Sequence, residues 1–454
     1  MAKTIEMTSG SSLKLIVKFA IPLFLGNIFQ QLYNMADSCI VGQKLGVDAL
    51  TAVGASSSVT FLIFGFCIGI CAGFGIPVAQ RFGARDFDGV RRLTLSSFYL
   101  SGVMAAVMTV LTCVFTRQIL ELLNTPEKLM DDASSYLFII FLGLPFTVIY
   151  NECAAIARAL GDSKTPFFYL VLSALLNVGL DILFIFGFGS GVCGAAIATI
   201  ISQGISGVLC MVSLLTKYPV LHGEKSVGRI SLRPDMKSCL TLIRIGLPMG
   251  LQSSITAIGS ILLQTAVNGL DIVYVSAYTI AIKLKQLFIP EFDSVGTAMA
   301  TYVGQNYGAG RNDRIRKGIR SSMLVSAVFY VVTVAVNVLF GKYLIGIFIR
   351  SSDPGNAGVI EAAYRYILID VSLVFVLALL FIFRYSIQGM GRSAIAVVAG
   401  VCEMIARLVM SILVIPSLGW SAACCTDPLA WGLALMYCLP LFIYILCKSS
   451  AQKL

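Results

Sequence analysis

The chain has 454 residues, of which 57% are hydrophobic and only 12% charged, against roughly 25% charged in a soluble domain. With a mean hydropathy of +0.89, this composition excludes an ordinary soluble enzyme and fits a polytopic membrane protein. The net charge of +10 comes from basic residues scattered over short loops, which speaks for anionic lipid on one side of a bilayer and against a nucleic-acid partner.

A hydrocarbon core about 30 Å thick takes about 20 apolar residues per helix. Such runs recur at residues 14–39, 50–79, 93–115, 134–157, 166–187, 193–215, 240–264, 274–303, 318–340, 361–383, 394–415 and 420–447. They predict twelve membrane spans. The first run is read as a helix rather than a signal peptide. It is too long, it carries Gln30, Gln31, Asn34 and Asp37, and no small-residue cleavage site follows its apolar part.

Lys and Arg set the orientation. The N-terminus, the loops from even to odd spans and the C-terminus hold 23 of the 33 basic residues, and the opposite side holds six. Both termini are therefore expected in the cytoplasm, in a multi-pass protein of the plasma (inner) membrane. The cysteines sit within spans or, for Cys239, at the edge of one, no CxxC pair occurs, and the one histidine is His222 in a loop. Small apolar packing residues are expected there, with neither a structural metal nor a disulfide.

The chain is written twice. "FAIPLFLGN" (19–27) matches "IGLPMGLQS" (245–253), and "VAQRFGARD" (78–86) matches "VGQNYGAGR" (303–311). "ARALGDSK" (157–164) matches "SIQGMGRS" (386–393) with Gly161 against Gly391, and "GVCGAA" (191–196) matches "GWSAAC" (419–424). The offsets are 226, 225, 230 and 228 residues. The expectation is an all-α fold of two six-helix bundles, residues 1–216 and 239–454, joined by a polar linker at 217–238. An even number of helices per half gives both the same orientation, so the pseudo-two-fold axis runs along the membrane normal. A substrate cavity between the two and alternating access around it are the corresponding expectations.

Within the spans, Gly65, Gly69 and Gly73 repeat every four residues, which lets another backbone approach one helix face. Pro22, Pro145, Pro248, Pro290 and Pro428 each remove a helical hydrogen bond and can kink a helix.

The acids point to function. A carboxylate in hydrocarbon costs roughly 3 kcal/mol on insertion scales. Asp37 lies deep in the first span, with Asn34 and Tyr33 three and four residues before it on the same face. In the fifth span, Asn177 and Asp181 are again i, i+4, and the sixth offers Thr199. Two carboxylates, an amide and a hydroxyl make an all-oxygen set suited to a hard cation such as Na⁺. It suits a proton equally, because two crowded carboxylates resist both being charged. In the second half Asp37 aligns with Leu263, Asn177 with Arg407 and Asp181 with Ser411, so this set belongs to the first half alone. In the eighth span Glu291 and Asp293 either meet a cationic substrate or form salt bridges with Lys283, Lys285 or Arg384. Glu403 and Arg407 are spaced for an ion pair within one helix. Asn151 and Glu152 are candidates to border the first-half cavity.

These residues carry a resemblance to the MATE transporters, the multidrug and toxic compound extrusion family. It rests on the two six-helix repeats and on "FAIPLFLGNIFQQLYNMADSCIVGQKLGVDALTAVG", "ARALGDSKTP", "LNVGLDILFIF", "GVCGAAIATI" and "GQNYGAGR". The resemblance implies export of drugs or cationic metabolites in exchange for Na⁺ or H⁺, with no organic cofactor. Pro22 matches the proline at which the first helix of some relatives bends, and Asp37, Asn177, Asp181 and Thr199 match their N-lobe cation site. Some relatives carry acids in the seventh and tenth spans. Here "GLQSSITAIGSILLQ" has none, and the tenth carries only Asp370 near its outer end. This departure points to the bacterial DNA-damage-inducible-type and Firmicute members. A lipid-linked precursor or polysaccharide flippase of the same superfamily is the alternative. An intramembrane enzyme is not supported, since no GxSxG, HExxH or phosphate loop is present. A small-molecule substrate, the lipid bilayer and a monomeric state complete the expectations.

Overall fold

The computed structural model describes residues 6–122, 125–221, 234–349 and 356–451. Most of the expected linker, and His222 with it, lies outside the described residues. The described chain is helical, without strands. Its helices are α1 (Ser12–Gly83), α2 (Phe87–Val114), α3 (Thr116–Leu122), α4 (Glu127–Leu142), α5 (Leu144–Ala159), α6 (Lys164–Asp181), α7 (Gly191–Lys217) and α8 (Met236–Asn268). There follow α9 (Ile272–Phe288), α10 (Pro290–Gly308), α11 (Asn312–Gly346), α12 (Ala357–Gly389), α13 (Ser393–Val409), α14 (Ile415–Leu418) and α15 (Trp420–Ala451). Ten stretches are long and apolar enough to cross a bilayer, and two bent pairs bring the total to twelve.

The first two expected spans share one helical run. No loop parts them within α1; the non-helical residue is Gly46, at φ 87° and ψ −176°. Pro22 lies inside this run on helical backbone. The two bent pairs have prolines at the joint. α4 and α5 meet at 43° with Pro145 in the first turn of α5, and α9 and α10 meet at 41° with Pro290 opening α10. A proline in a first helical turn costs no hydrogen bond, while its ring prevents the preceding helix from running on.

The duplication is visible in the backbone. Gly161 and Gly391 stand at φ 88° and 78°, Gly191 and Gly419 at 59° and 61°, Arg85 and Gly310 at 60° and 69°. Each pair obeys the offsets read from the sequence. A π-helical turn follows α6 at Ile182–Gly187, and another follows α13 at Met410–Val414.

The chain divides into two compact units, one of residues 21–254 with Glu6 and Met7, the other of residues 8–20 with 255 onward. The divisions fall within α1 and α8. In the second unit, α11 turns many small and polar residues inward and apolar ones outward. α11 buries Gly318, Ser322, Ser326, Thr333, Asn337 and Gly341 at spacings of four or seven residues. It exposes Leu324, Val328, Val331, Val332, Leu339 and Phe340. Small and polar residues hold helices together where lipid is the solvent.

In the first unit, Gly65, Gly69 and Gly73 of α1 lie along the start of α8, as their spacing predicts. A Cβ on Gly73 would stand 2.5 Å from the Gly246 Cα, and one on Gly69 would stand 2.7 Å from the Met249 carbonyl oxygen. Gly246 and Gly250 are equally tight against Phe74 and the Phe66 carbonyl. Backbone meets backbone here, and neither side can yield. Gly73→Val is therefore expected to destabilise the protein by about 1–3 kcal/mol or more, seen as a lower unfolding temperature of the purified protein. Val103→Ala, on an exposed face of α2, should leave that temperature nearly unchanged.

Candidate ion and substrate sites

The first unit brings the expected oxygen set together. α1 presents Tyr33, Asn34 and Asp37, α6 presents Asn177 and Asp181, and α7 presents Thr199. The carboxyls of Asp37 and Asp181 interact directly. Asp181 is fully buried and Asn177 nearly so. The Asn177 amide donates to the Thr199 hydroxyl at 3.2 Å, and that hydroxyl donates to the Ala195 carbonyl at 3.0 Å. Oδ1 of Asp37 is buried and makes no hydrogen bond. Tyr33 and Tyr136 stand close to both carboxyls. Tyr136, on α4, is an addition to the expected set; it lies in an apolar stretch of the sequence that gives no sign of facing Asp37. A small cavity lined by Tyr33, Ser173, Asn177, Thr199, Ser202 and Gln203 lies beside the cluster. Asn34 is exposed.

The helices explain why these groups converge. The i, i+4 spacing puts Asn177 and Asp181 on one face of α6. The π turn begins at the residue after Asp181, and such turns are frequent at functional sites. Val41, Ala49, Ile185, Val192 and Ala195 form an apolar cluster against which Tyr136 packs.

The other first-half candidates sit elsewhere. Glu152 is fully buried and accepts from the Ser101 hydroxyl of α2 at 2.8 Å. Asn151 donates to the Thr147 carbonyl of its own helix at 2.8 Å.

The second unit holds a chain of alternating charges. Nζ of Lys285 on α9 lies 2.9 Å from Oδ1 of Asp370 on α12 and 2.5 Å from Oδ2 of Asp427 on α15. Asp427 bridges onward, its Oδ1 accepting from Arg407 Nε at 2.9 Å. Arg407 reaches Glu403 at 3.6 Å, and Glu403 pairs with Arg384 at 2.8 Å. All six side chains are at most 11% exposed. Three carboxylates and three cations compensate one another in a region where an unpaired charge costs several kcal/mol.

This network corrects several expectations. Glu291 and Asp293 do not pair with Lys283, Lys285 or Arg384 in the ion pairs of the described residues. Glu291 accepts from the Thr333 hydroxyl and Asp293 from the Tyr385 hydroxyl, because Lys285 and Arg384 have carboxylates of their own. Lys283 lies over the Phe348 ring. Asp370 is buried, at 1% exposure. Asp427 was missed altogether, although an acid before Pro428 in an apolar span is a signal in its own right. The expected Glu403–Arg407 pair is present, extended at both ends. A cavity beside Lys285 is lined by Leu284, Phe288, Thr333, Tyr366, Asp370 and Val374.

A duplicated helical bundle with membrane-length spans and charged clusters inside both units is the kind of architecture that membrane transporters have. The MatE family profile matches residues 22–183 and 248–413, one match per repeat. The chain is 30% identical over 375 residues to the probable multidrug resistance protein YpnP of Bacillus subtilis, covering 82% of this chain and 83% of that one. It is 28% identical over 369 residues to the probable multidrug resistance protein YoeA of the same organism, covering 76% and 80%. A crystal structure of MATE in the bent conformation superimposes with a TM-score of 0.89 at 21% identity, over 100% of this chain and 99% of the other. The chain belongs to the MATE family of multi-pass membrane transporters.

Removing one member of a buried ion pair leaves its partner uncompensated, at roughly 3–5 kcal/mol. Arg384→Leu leaves Glu403 with Arg407 alone, 3.6 Å away, and is expected to lower thermal stability by less than that, with Arg384→Leu/Glu403→Gln recovering part of the loss. Unfolding temperatures of the two purified variants check this.

Proposed function

We propose that this protein is a secondary active antiporter that exports drugs or cationic, amphipathic metabolites in exchange for Na⁺ or H⁺. The observation that carries this reading is the direct approach of Asp37 on α1 to Asp181 on α6, with Asn177 and Thr199 beside them. Two carboxylates so placed attract a cation or a shared proton. Loading the site removes negative charge from a poorly solvated region, which changes how the helices around it pack. In the proposed cycle the outward-open state loads the ion at Asp37 and Asp181 and loses affinity for cationic substrate, which leaves. The return step carries the ion inward. Coupling follows only if substrate and ion prefer different states. Pro22, which deprives the Lys18 carbonyl of its helical donor, is the proposed bend point in α1.

The named multidrug relatives support drug-like substrates, and the acidic cluster supports a positive charge on them. Tyr33, Asn34, Asn151, Glu152, Glu291, Asp293 and Arg384 remain the candidates for substrate contact. A flippase for an anionic lipid-linked precursor gains no support, because Arg384 and Arg407 are both ion-paired. The proposed setting is the plasma membrane, with both termini cytoplasmic, no organic cofactor and a monomeric protein of two six-helix lobes working by alternating access.

The experiment is counterflow in proteoliposomes, with Na⁺ and pH gradients imposed separately. One gradient should drive export of ethidium or norfloxacin. Asp37→Asn should abolish that response at least tenfold while the variant still purifies as a monodisperse protein. Efflux undiminished in the variant would refute the assignment.

A further inference from the structure

We infer that the second half of the transporter supplies its own cations: the Arg407 guanidinium stands at the repeat position of Asn177 in the first-half oxygen cluster, and the Lys285 ammonium reaches the same network from α9. Lys285 thereby keeps the second half from taking up an exchangeable cation. That coupling runs through the first half alone rests on the function proposed above; the occupancy of the second half does not.

The repeat puts the two sites in register. The offset of 230 residues sets Arg407 against Asn177, and the offset of 228 sets Asp427 against Thr199. In the first unit these positions form an amide-to-hydroxyl hydrogen bond at 3.2 Å. In the second they form an ion pair at 2.9 Å. The same contact is kept with its polarity raised to full charge. The offset of 226 sets Gly259 against Tyr33. A Cβ on Gly259 would stand 3.2 Å from Arg407 Nη1, so the glycine makes room for the guanidinium on the face where the first half carries a tyrosine.

Lys285 completes the arrangement from α9. Its Nζ is held between Asp370 and Asp427 and lies 5.0 Å from the Trp431 ring centroid and 5.6 Å from that of Tyr366. Two carboxylates and two aromatic faces are what a free ammonium ion would seek. The Tyr366 hydroxyl also reaches Asp427 at 3.4 Å. The second unit thus has a cation site with a tethered occupant.

Lys285→Ala would remove the occupant and leave its cage of Asp370, Asp427, Tyr366 and Trp431. The test is made in the full-length Asp37→Asn background, so that neither transport nor the first-half site contributes. Thermal unfolding of the purified protein is followed against ethylammonium chloride and against NaCl, at equal ionic strength with choline as balance and with 1-propanol as the uncharged control. Asp37→Asn/Lys285→Ala should gain several degrees from ethylammonium or Na⁺, while Asp37→Asn alone and Asp37→Asn/Lys285→Arg should gain none. A folded Lys285→Ala variant that responds no more than its parent, or as much to propanol as to the cations, would overturn the inference. If Lys285→Ala does not fold, Lys285→Ala/Asp427→Asn removes one charge of each sign. Recovery of a folded protein supports the tethered cation, and failure of this variant too assigns Lys285 to packing and overturns it.

Discussion

A carboxylate placed among apolar helices must be answered by a positive charge, a proton or hydrogen-bond donors, because water is not there to do it. The rest of this molecule is arranged around that constraint. The second unit answers it with covalently attached cations, so that Asp370, Asp427 and Glu403 are compensated within the fold. The first unit brings Asp37 and Asp181 against each other and surrounds them with Tyr33, Asn177 and Thr199, none of which is cationic. One charged cluster is closed on itself and the other is built from oxygen.

The frame that permits this is a duplicated bundle in which close backbone contact works beside clusters of buried apolar side chains. Glycines in α1 and α8 lie within van der Waals distance of each other's backbones, while the valines and leucines of α11 face outward. Such an exterior is interchangeable with lipid and carries little information. Identity lies in the small and polar residues between helices, so two halves can share one backbone and diverge in their interior chemistry. Arg85 shows the tolerance of that frame. It takes the left-handed conformation that its repeat partner Gly310 adopts without strain.

What the sequence revealed depended on whether a feature was local. The duplication was legible because left-handed turns select glycine, leaving Gly161 opposite Gly391 and Gly191 opposite Gly419 as letters. The oxygen set was legible because Asn177 and Asp181 share a helix face and Asp37 has no apolar excuse. The long network was not, because Lys285, Asp370, Arg384, Glu403, Arg407 and Asp427 come from four helices. Only Glu403 and Arg407 are close in sequence, and that pair alone was anticipated. The partners of Glu291 and Asp293, Thr333 and Tyr385, belong to other helices and were invisible for the same reason. The joint between the first two spans was legible to within a turn, since Gly46 falls in the expected interval 40–49, but Gly46 breaks the backbone angles without interrupting the helical run.

The paired π turns after α6 and α13 have a consequence for movement. A π turn holds one more residue than the α ladder requires. Each half therefore stores a single residue of slack at the end of the helix that carries its key polar groups. Exchanging that slack for α pairing would swivel the adjoining side chains by about 100° with the main-chain bonds re-formed one place along. Asp181 and Arg407 stand within a turn of these joints, so a small winding step, without any unfolding, is enough to re-aim them.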